Sequence, residues 1–537
     1  MKKSFCLLLI TTILVGLITP AVFARNASED SETNFIDMPD DWSAPALRRA
    51  VANGLLRGAG GKIMPNSNLT RAEMAAVIVR AFGAVATNEM KSFDDVHTDD
   101  WFAEDIAKAY QMGVMRGTGQ KMNPKTPITR EEVFVIFARA LKLKPEPNVN
   151  RTFTDIGEVS LWAEGEVYAM VNNGYVHGSN GRLNPKGLIT RAEFSQLLDN
   201  LIKQYLKTGG VVTSVADGNI LVSVPGVHMK NLTVNGDLII GDGVGEGDII
   251  LEDVKVKGRL VVRGGGKNSI IIRGKSEVSE VILCRSDGVV CVKVMDGSDV
   301  EEIYVDDGSD DVYLEGNINR VTIESDDISV TARSAKIHIL NIRGNRTSVM
   351  IDKNSVVNSI YVKLNTENNE IDVAGTVLEI ATASRNTHIG GTGKISVVSV
   401  VPGGNDTTVS SAGTKVIVWY GVTNVFCGET EIQQGTTLTT NLQGTGIVTP
   451  TPLPQVTPKL SKPSPSPMLS ITPTPKPTAA PMPPGGGGTG SGGFENSPGG
   501  GGSGDGGSDN SPGGGGSGGG GSDNSPGGGG SGGGGSD

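Results

Sequence analysis

One phrase is written three times in this chain of 537 residues: Leu69-Thr70-Arg71-Ala72-Glu73, Ile128-Thr129-Arg130-Glu131-Glu132 and Ile189-Thr190-Arg191-Ala192-Glu193. A repeat of about sixty residues marks a supersecondary unit that buries its apolar face against its own copies. The flanking text repeats as well. An aromatic-x-Asp step at Phe35, Phe93 and Phe153 carries Asp37, Asp95 and Asp155, and Trp42, Trp101 and Trp162 follow. A first helical stretch then stops at Gly54, Gly113 or Gly174, where a C-terminal cap fits. A loop passes through Gly58, Gly117 and Gly178 to Pro65, Pro124 and Pro185, and the repeated phrase opens a second helix. Met74, Val77, Ile78 and Ala81 fall on one face of it. The spacing predicts three two-helix units, at 35–90, 91–148 and 151–207.

Within the phrase, Thr and Glu have a local explanation. Thr at an N-cap with Glu three residues later is a capping box, so Thr70/Glu73, Thr129/Glu132 and Thr190/Glu193 are read as helix caps. The arginine has no such role. At the first helical position a cation opposes the helix dipole, yet Arg71, Arg130 and Arg191 recur in all three copies. Two readings are open. The guanidinium groups bind an external anion beside helix N-termini, which we prefer, or they pair with Asp37, Asp95 and Asp155. The tryptophans read first as core, with faces able to meet sugar rings where they are exposed.

From 211 to 448 the period changes. Short β-branched runs alternate with polar residues between Gly, Asn and Asp, and Asn231 to Gly243 returns 22 residues later as Asp253 to Gly265. Offsets of this size predict one coil of a parallel β-solenoid, preferred here to a β-sandwich. Eleven or so coils at ~4.8 Å each would make a rod of roughly 50 Å.

The ends of the chain are of another kind. Lys2 and Lys3, the apolar run Phe5 to Leu17, Pro20 and Val22-Phe23-Ala24 read as a secretory leader, residues 1–24. No later segment has the character of a transmembrane helix. Residues 449–484 read as an extended Pro/Thr-rich linker, and 485–537 as a disordered Gly-rich tail with a recurring Asn-Ser-Pro. A net charge of −11 argues against a nucleic-acid partner. Cys284, Cys291 and Cys427 are expected as buried thiols rather than a disulfide framework, with a Cys284–Cys291 bridge as the alternative. The scattered histidines suggest no metal site, and no cofactor is expected.

Taken together, Phe-x-Asp, Trp, the Gly-x-x-x-Gly step, the Pro loop and Ile/Leu-Thr-Arg-Ala-Glu in three tandem copies resemble the S-layer homology domain of bacterial cell-surface proteins. The resemblance covers about a third of the chain. It implies a three-pronged helical bundle that holds secondary cell-wall polysaccharide on peptidoglycan, typically pyruvylated, at the surface of a Gram-positive cell. It further implies that Arg71, Arg130 and Arg191 meet the polymer's anionic group. Asp37, Asp95, Asp155, the three Trp residues, Gly58, Gly117 and Gly178 would contribute to the grooves. Glu131 stands where the family has alanine, and no acidic residue directly precedes Trp162, so grooves of unequal affinity are expected.

Parallel β-helices also host polysaccharide lyases and hydrolases. Asp306-Asp307, Asp310-Asp311 and Asp326-Asp327 could in principle act as paired carboxylates or bind calcium. They sit in Gly/Ser turns, with few aromatic residues nearby, so solvated corner charges are expected and no enzyme activity is assigned. The competing readings are a wall-anchored lyase or glycosidase and a self-assembling lattice protein, the latter through association of the β domain.

Overall fold

The computed structural model describes residues 35–85, 92–286, 288–306, 311–441 and 447–452. The leader at 1–24, linker residues 453–484 and the tail at 485–537 lie outside the described residues.

Each sequence repeat folds as two helices joined by a small hairpin. The pairs are α1 (Ala44–Ala52) and α2 (Arg71–Phe82), α3 (Ala103–Gln111) and α4 (Arg130–Ala140), and α5 (Glu164–Asn172) and α6 (Arg191–Leu201). The hairpins are pinned by bridges Ala59–Lys62, Thr118–Lys121 and Ser179–Arg182. The units close on each other in a cycle: α2 packs on α3, α4 on α5, and α6 returns to α1. At the centre, the Leu69 N–H donates to Ile189 (3.0 Å), Ile189 to Ile128 (3.3 Å) and Ile128 to Leu69 (2.9 Å). All three side chains are buried. No unit can complete its core or its backbone hydrogen bonds without both others.

Helix α6 runs almost directly into the first strand of the solenoid. The solenoid begins at Gln204–Leu206, inside the range predicted for the third helical unit. One column of buried residues records its coils: Ile220, Leu238, Leu260, Val281, Ile303, Val321, Leu340, Ile360, Ile380, Val398 and Val416, each in parallel register with the next. Those eleven residues are all fully buried. Corners are made by left-handed residues, mostly Asn and Asp, which tolerate that region best: Asp327, Asn368, Asn386, Asp406 and Asn424 have φ of 54, 59, 51, 61 and 56°. The last coil departs from the predicted pattern. Lys415–Val418 pairs antiparallel with Thr436–Thr440, which pairs in turn with Ile447–Pro452, so a hairpin covers the strand edge that an open solenoid would leave. Cys284, Cys291 and Cys427 are buried thiols, and burial pushes Cys284 and Cys291 up to about 11.

The helical triplet is docked on the first coils. Outward-facing Leu221, Ile239, Val261 and Ile282 form a second column in register, and they belong to the same apolar cluster as the helices. Two cations fix the joint. The Arg259 guanidinium donates to the carbonyls of Lys142 (2.7 Å) and Leu141 (3.1 Å) just past α4, and pairs with Asp237 (2.6 Å). Arg263 donates to Met112 O at the end of α3 (2.8 Å), pairs with Asp242 (2.9 Å) and lies over the Phe82 ring. Cations at helix C-termini satisfy orphan carbonyls and complement the dipole. The three long helices therefore begin at the central ring and end toward the rod.

Candidate functional site

All three capping boxes form. Thr70, Thr129 and Thr190 accept from the backbone of Glu73, Glu132 and Glu193, whose Oε2 atoms accept in return from the threonine N–H at 2.9, 2.8 and 2.9 Å. Each glutamate has one carboxylate oxygen left, and it goes to the arginine of another unit. Arg71 reaches Glu132 Oε1 (2.8 Å), Arg130 reaches Glu193 Oε1 (3.0 Å), and Arg191 reaches Glu73 Oε1 (3.4 Å). The cycle of ion pairs follows the cycle of helices. Each arginine also donates through Nε to a loop carbonyl of that neighbouring unit: Met122 (2.8 Å), Leu183 (3.1 Å) and Ile63 (2.8 Å). Arg71 and Arg191 add Nη2 bonds to Arg116 O (2.9 Å) and Arg57 O (2.7 Å).

Two sequence expectations are corrected here. The partner of each arginine is the neighbouring capping glutamate, not Asp37, Asp95 or Asp155. And the guanidinium groups do not stand open to an anion: their side chains are 11, 14 and 5 % exposed. Burial lowers the basicity of Arg130 and Arg191, opposed by Glu193 and Glu73 respectively. The helix starts are closed as well. The first helical N–H groups, of Arg71, Arg130 and Arg191, donate to Thr126, Gly187 and Ser67 carbonyls. The next, of Ala72, Glu131 and Ala192, donate to Pro124, Pro185 and Pro65. Threonine takes the third, so the donors that would bind an anion at a helix N-terminus are already spent.

The aspartates have a separate task. Asp37 accepts from the Ile63 and Met64 N–H groups (2.7 and 2.9 Å), Asp95 from Met122 and Asn123 (2.9 and 2.8 Å), and Asp155 from Leu183 and Asn184 (both 2.8 Å). In each case the second donor residue is left-handed, with φ of 54, 52 and 52° for Met64, Asn123 and Asn184. Burial works to raise the Asp155 pKa, but these two N–H groups and then Arg182 hold it below the usual carboxylate range. The glycines serve the hairpins: a Cβ on Gly58, Gly117 or Gly178 would stand 2.5 Å from the carbonyl of Lys62, Lys121 or Arg182.

What faces solvent is the aromatic set. Trp42, Trp101 and Trp162 are 59, 65 and 54 % exposed, against the expectation that they are core. Exposed cations recur at the hairpin ends, Lys62, Lys121 and Arg182. They are not among the site residues expected from the sequence, although a cation four residues after each of Gly58, Gly117 and Gly178 is visible when the repeats are aligned. The three repeats thus offer three exposed indoles and three exposed hairpin cations, on a frame of largely buried arginines and mostly part-buried glutamates and aspartates. Exposed aromatic side chains and exposed cations on the same repeats suit a polymer of sugar rings carrying charged substituents.

Residues 34–75, 92–134 and 152–195 each match the S-layer homology domain. An amylopullulanase of Thermoanaerobacterium thermosulfurigenes is 31% identical over 188 residues, which is 34% of this chain and 10% of that protein. The surface-layer 125 kDa protein of Lysinibacillus sphaericus is 27% identical over 208 residues, 38% of this chain and 17% of that protein. The S-layer protein sap of Bacillus anthracis is 27% identical over 211 residues, 38% of this chain and 25% of that protein. The chain therefore spans between a tenth and a quarter of the length of these relatives.

Proposed function

We propose that this chain, which carries three S-layer homology domains, is attached non-covalently to the bacterial cell surface by its helical triplet and displays its β-solenoid there. The observation that carries this reading is the closed ring of three units with an exposed tryptophan on each. Its ligand is an anionic, pyruvylated secondary cell-wall polysaccharide. Indole faces take the sugar rings, and the cations around the ring take the acid substituents. Arg71, Arg130 and Arg191, with Asp37, Asp95, Asp155 and the three hairpin glycines, hold that surface in shape from beneath. Individually weak contacts on one rigid frame reinforce one another, because each later contact forms at high effective concentration.

The solenoid acts as a rigid spacer rather than an enzyme. Asp326 accepts from the Asn345 N–H (2.7 Å), and Asp327 forms a two-point pair with Arg346 (2.5 and 2.7 Å), so this acidic pair serves as rungs between coils. A leader at 1–24 would export the chain, and the Pro/Thr-rich and Gly-rich segments would follow the rod. The test is sedimentation of the mature chain with purified cell walls, before and after chemical removal of pyruvate. Retention on native walls that falls after depyruvylation is expected. Equal retention on both would remove the anionic substituent from the account, and no retention on either would remove wall attachment.

A further inference from the structure

The three helix starts are alike except at one position. Ala72, Glu131 and Ala192 are equivalent: each is the second residue of its helix, and each N–H donates to the loop proline of the adjoining unit, at 2.9, 3.0 and 2.9 Å. Alanine ends there. Glu131 instead sends a carboxylate across the seam into the third unit. Its Oε1 accepts from Ser160 Oγ (2.9 Å) and Lys186 Nζ (2.6 Å), and its Oε2 accepts from the Ser160 N–H (3.0 Å). Lys186 also donates to Ser160 Oγ. Glu131 is 4 % exposed, a rare state for an acid unless it is fully partnered.

The partners belong with the acid. Ser160 lies two residues before Trp162; the same place holds Asp40 before Trp42 and Asp99 before Trp101. An aspartate at 160 would repel Glu131. Lys186 directly follows its loop proline, where the other units have Asn66 and Lys125. Glu131 and the non-acidic Ser160 are therefore one device, not two separate departures from the repeat. One ammonium, one hydroxyl and one backbone N–H converging on two oxygens is a complete donor set for a carboxylate.

We infer that the seam between the second and third units is a carboxylate site filled from within: Glu131 occupies, on Ser160 and Lys186, the place an acidic substituent of the polymer would take. This deepens the proposed function and rests on it for the identity of the polymer. Removing the acid frees the donors without stranding a buried charge, because the Lys186 side chain is 48 % exposed.

The test uses the full mature chain and three variants: Glu131→Ala, Glu131→Gln and Glu131→Ala/Lys186→Ala. Titration with solubilised wall polysaccharide is expected to give at least about tenfold tighter binding for Glu131→Ala, through the added contact. The double variant should return to the parent value. Titration with pyruvate alone should saturate Glu131→Ala but neither the parent nor the double variant. Glu131→Gln keeps the side-chain size but has one acceptor oxygen where the carboxylate has two, so it loses the charge and at least one of the accepted bonds; it should still fold and gain about two- to threefold. It carries the test if the alanine variant fails to fold. Unchanged or weaker binding by a folded Glu131→Ala or Glu131→Gln, or a gain that survives loss of Lys186, would overturn the inference. Failure of the parent chain to bind walls would defeat the anchoring reading alone, since the pyruvate titration stands without it.

Discussion

Replacing Arg191 by alanine should unfasten the ring. Its Nε and Nη2 donate to the Ile63 and Arg57 carbonyls at 2.8 and 2.7 Å in a site where the side chain is 5 % exposed. Charge-assisted bonds of this kind contribute about 1.5–3 kcal/mol each, and the buried bond to Ile63 and the part-buried bond to Arg57 would be lost together. The Glu73 pair adds less, because its distance is 3.4 Å and Glu73 is one-third exposed, so water can resolvate it. The sum is about 3–5 kcal/mol, in line with the loss of one partner from a buried ion pair. For a helical region of about 170 residues that corresponds to roughly 10 °C in the melting temperature. Scanning calorimetry of the mature chain, with circular dichroism of the helices, measures it. Arg191→Lys should recover only part of the loss, since a single ammonium cannot reproduce the guanidinium fork. A melting temperature within about 3 °C of the parent, together with lost wall binding, would refute the reasoning and return the arginines to the ligand.

Three other outcomes are expected. Asp155 has a folded pKa below its unfolded value, so its stabilisation is present above about pH 4 and is lost as pH falls through the folded pKa; Asp155→Asn should lower stability at pH 7 by about 1–3 kcal/mol and flatten the acid limb of a pH–stability profile. Gly178→Ala should cost about 1–3 kcal/mol in urea unfolding, because its φ is +68° and the new Cβ would meet Arg182 O at 2.5 Å and the Phe153 ring at 2.7 Å. Arg263→Met should separate the helical and solenoid transitions in calorimetry, since it removes the bond to Met112 O and leaves Asp242 without that cation.

Local signals were read well from the chain and cyclic ones were not. Thr-x-x-Glu specifies a cap within four residues, so the capping boxes were legible. The partners of the arginines lie 61, 63 and 118 positions away and are brought close only by closure of the ring. Tryptophan looked like core because it is large and apolar, but Phe102, Ala103 and Ala163 beside those positions are buried while the indoles are not. The coil period was plain in the sequence. The docking face was also written there and went unread: Leu238-Ile239-Ile240, Leu260-Val261-Val262 and Val281-Ile282-Leu283 lack the polar middle residue seen in Val321-Thr322-Ile323 and Leu340-Asn341-Ile342. An apolar residue on the outer face of a coil calls for a cover, and the helices supply it.

In the proposed function the exposed indoles are the surface that holds the wall. Co-sedimentation of Trp42→Ala/Trp101→Ala/Trp162→Ala with purified walls tests it most directly, because none of the three side chains is buried. Retention should fall at least about tenfold while the melting temperature stays with the parent, as expected when several linked contacts are lost at once. Retention equal to the parent in a folded triple variant would contradict it.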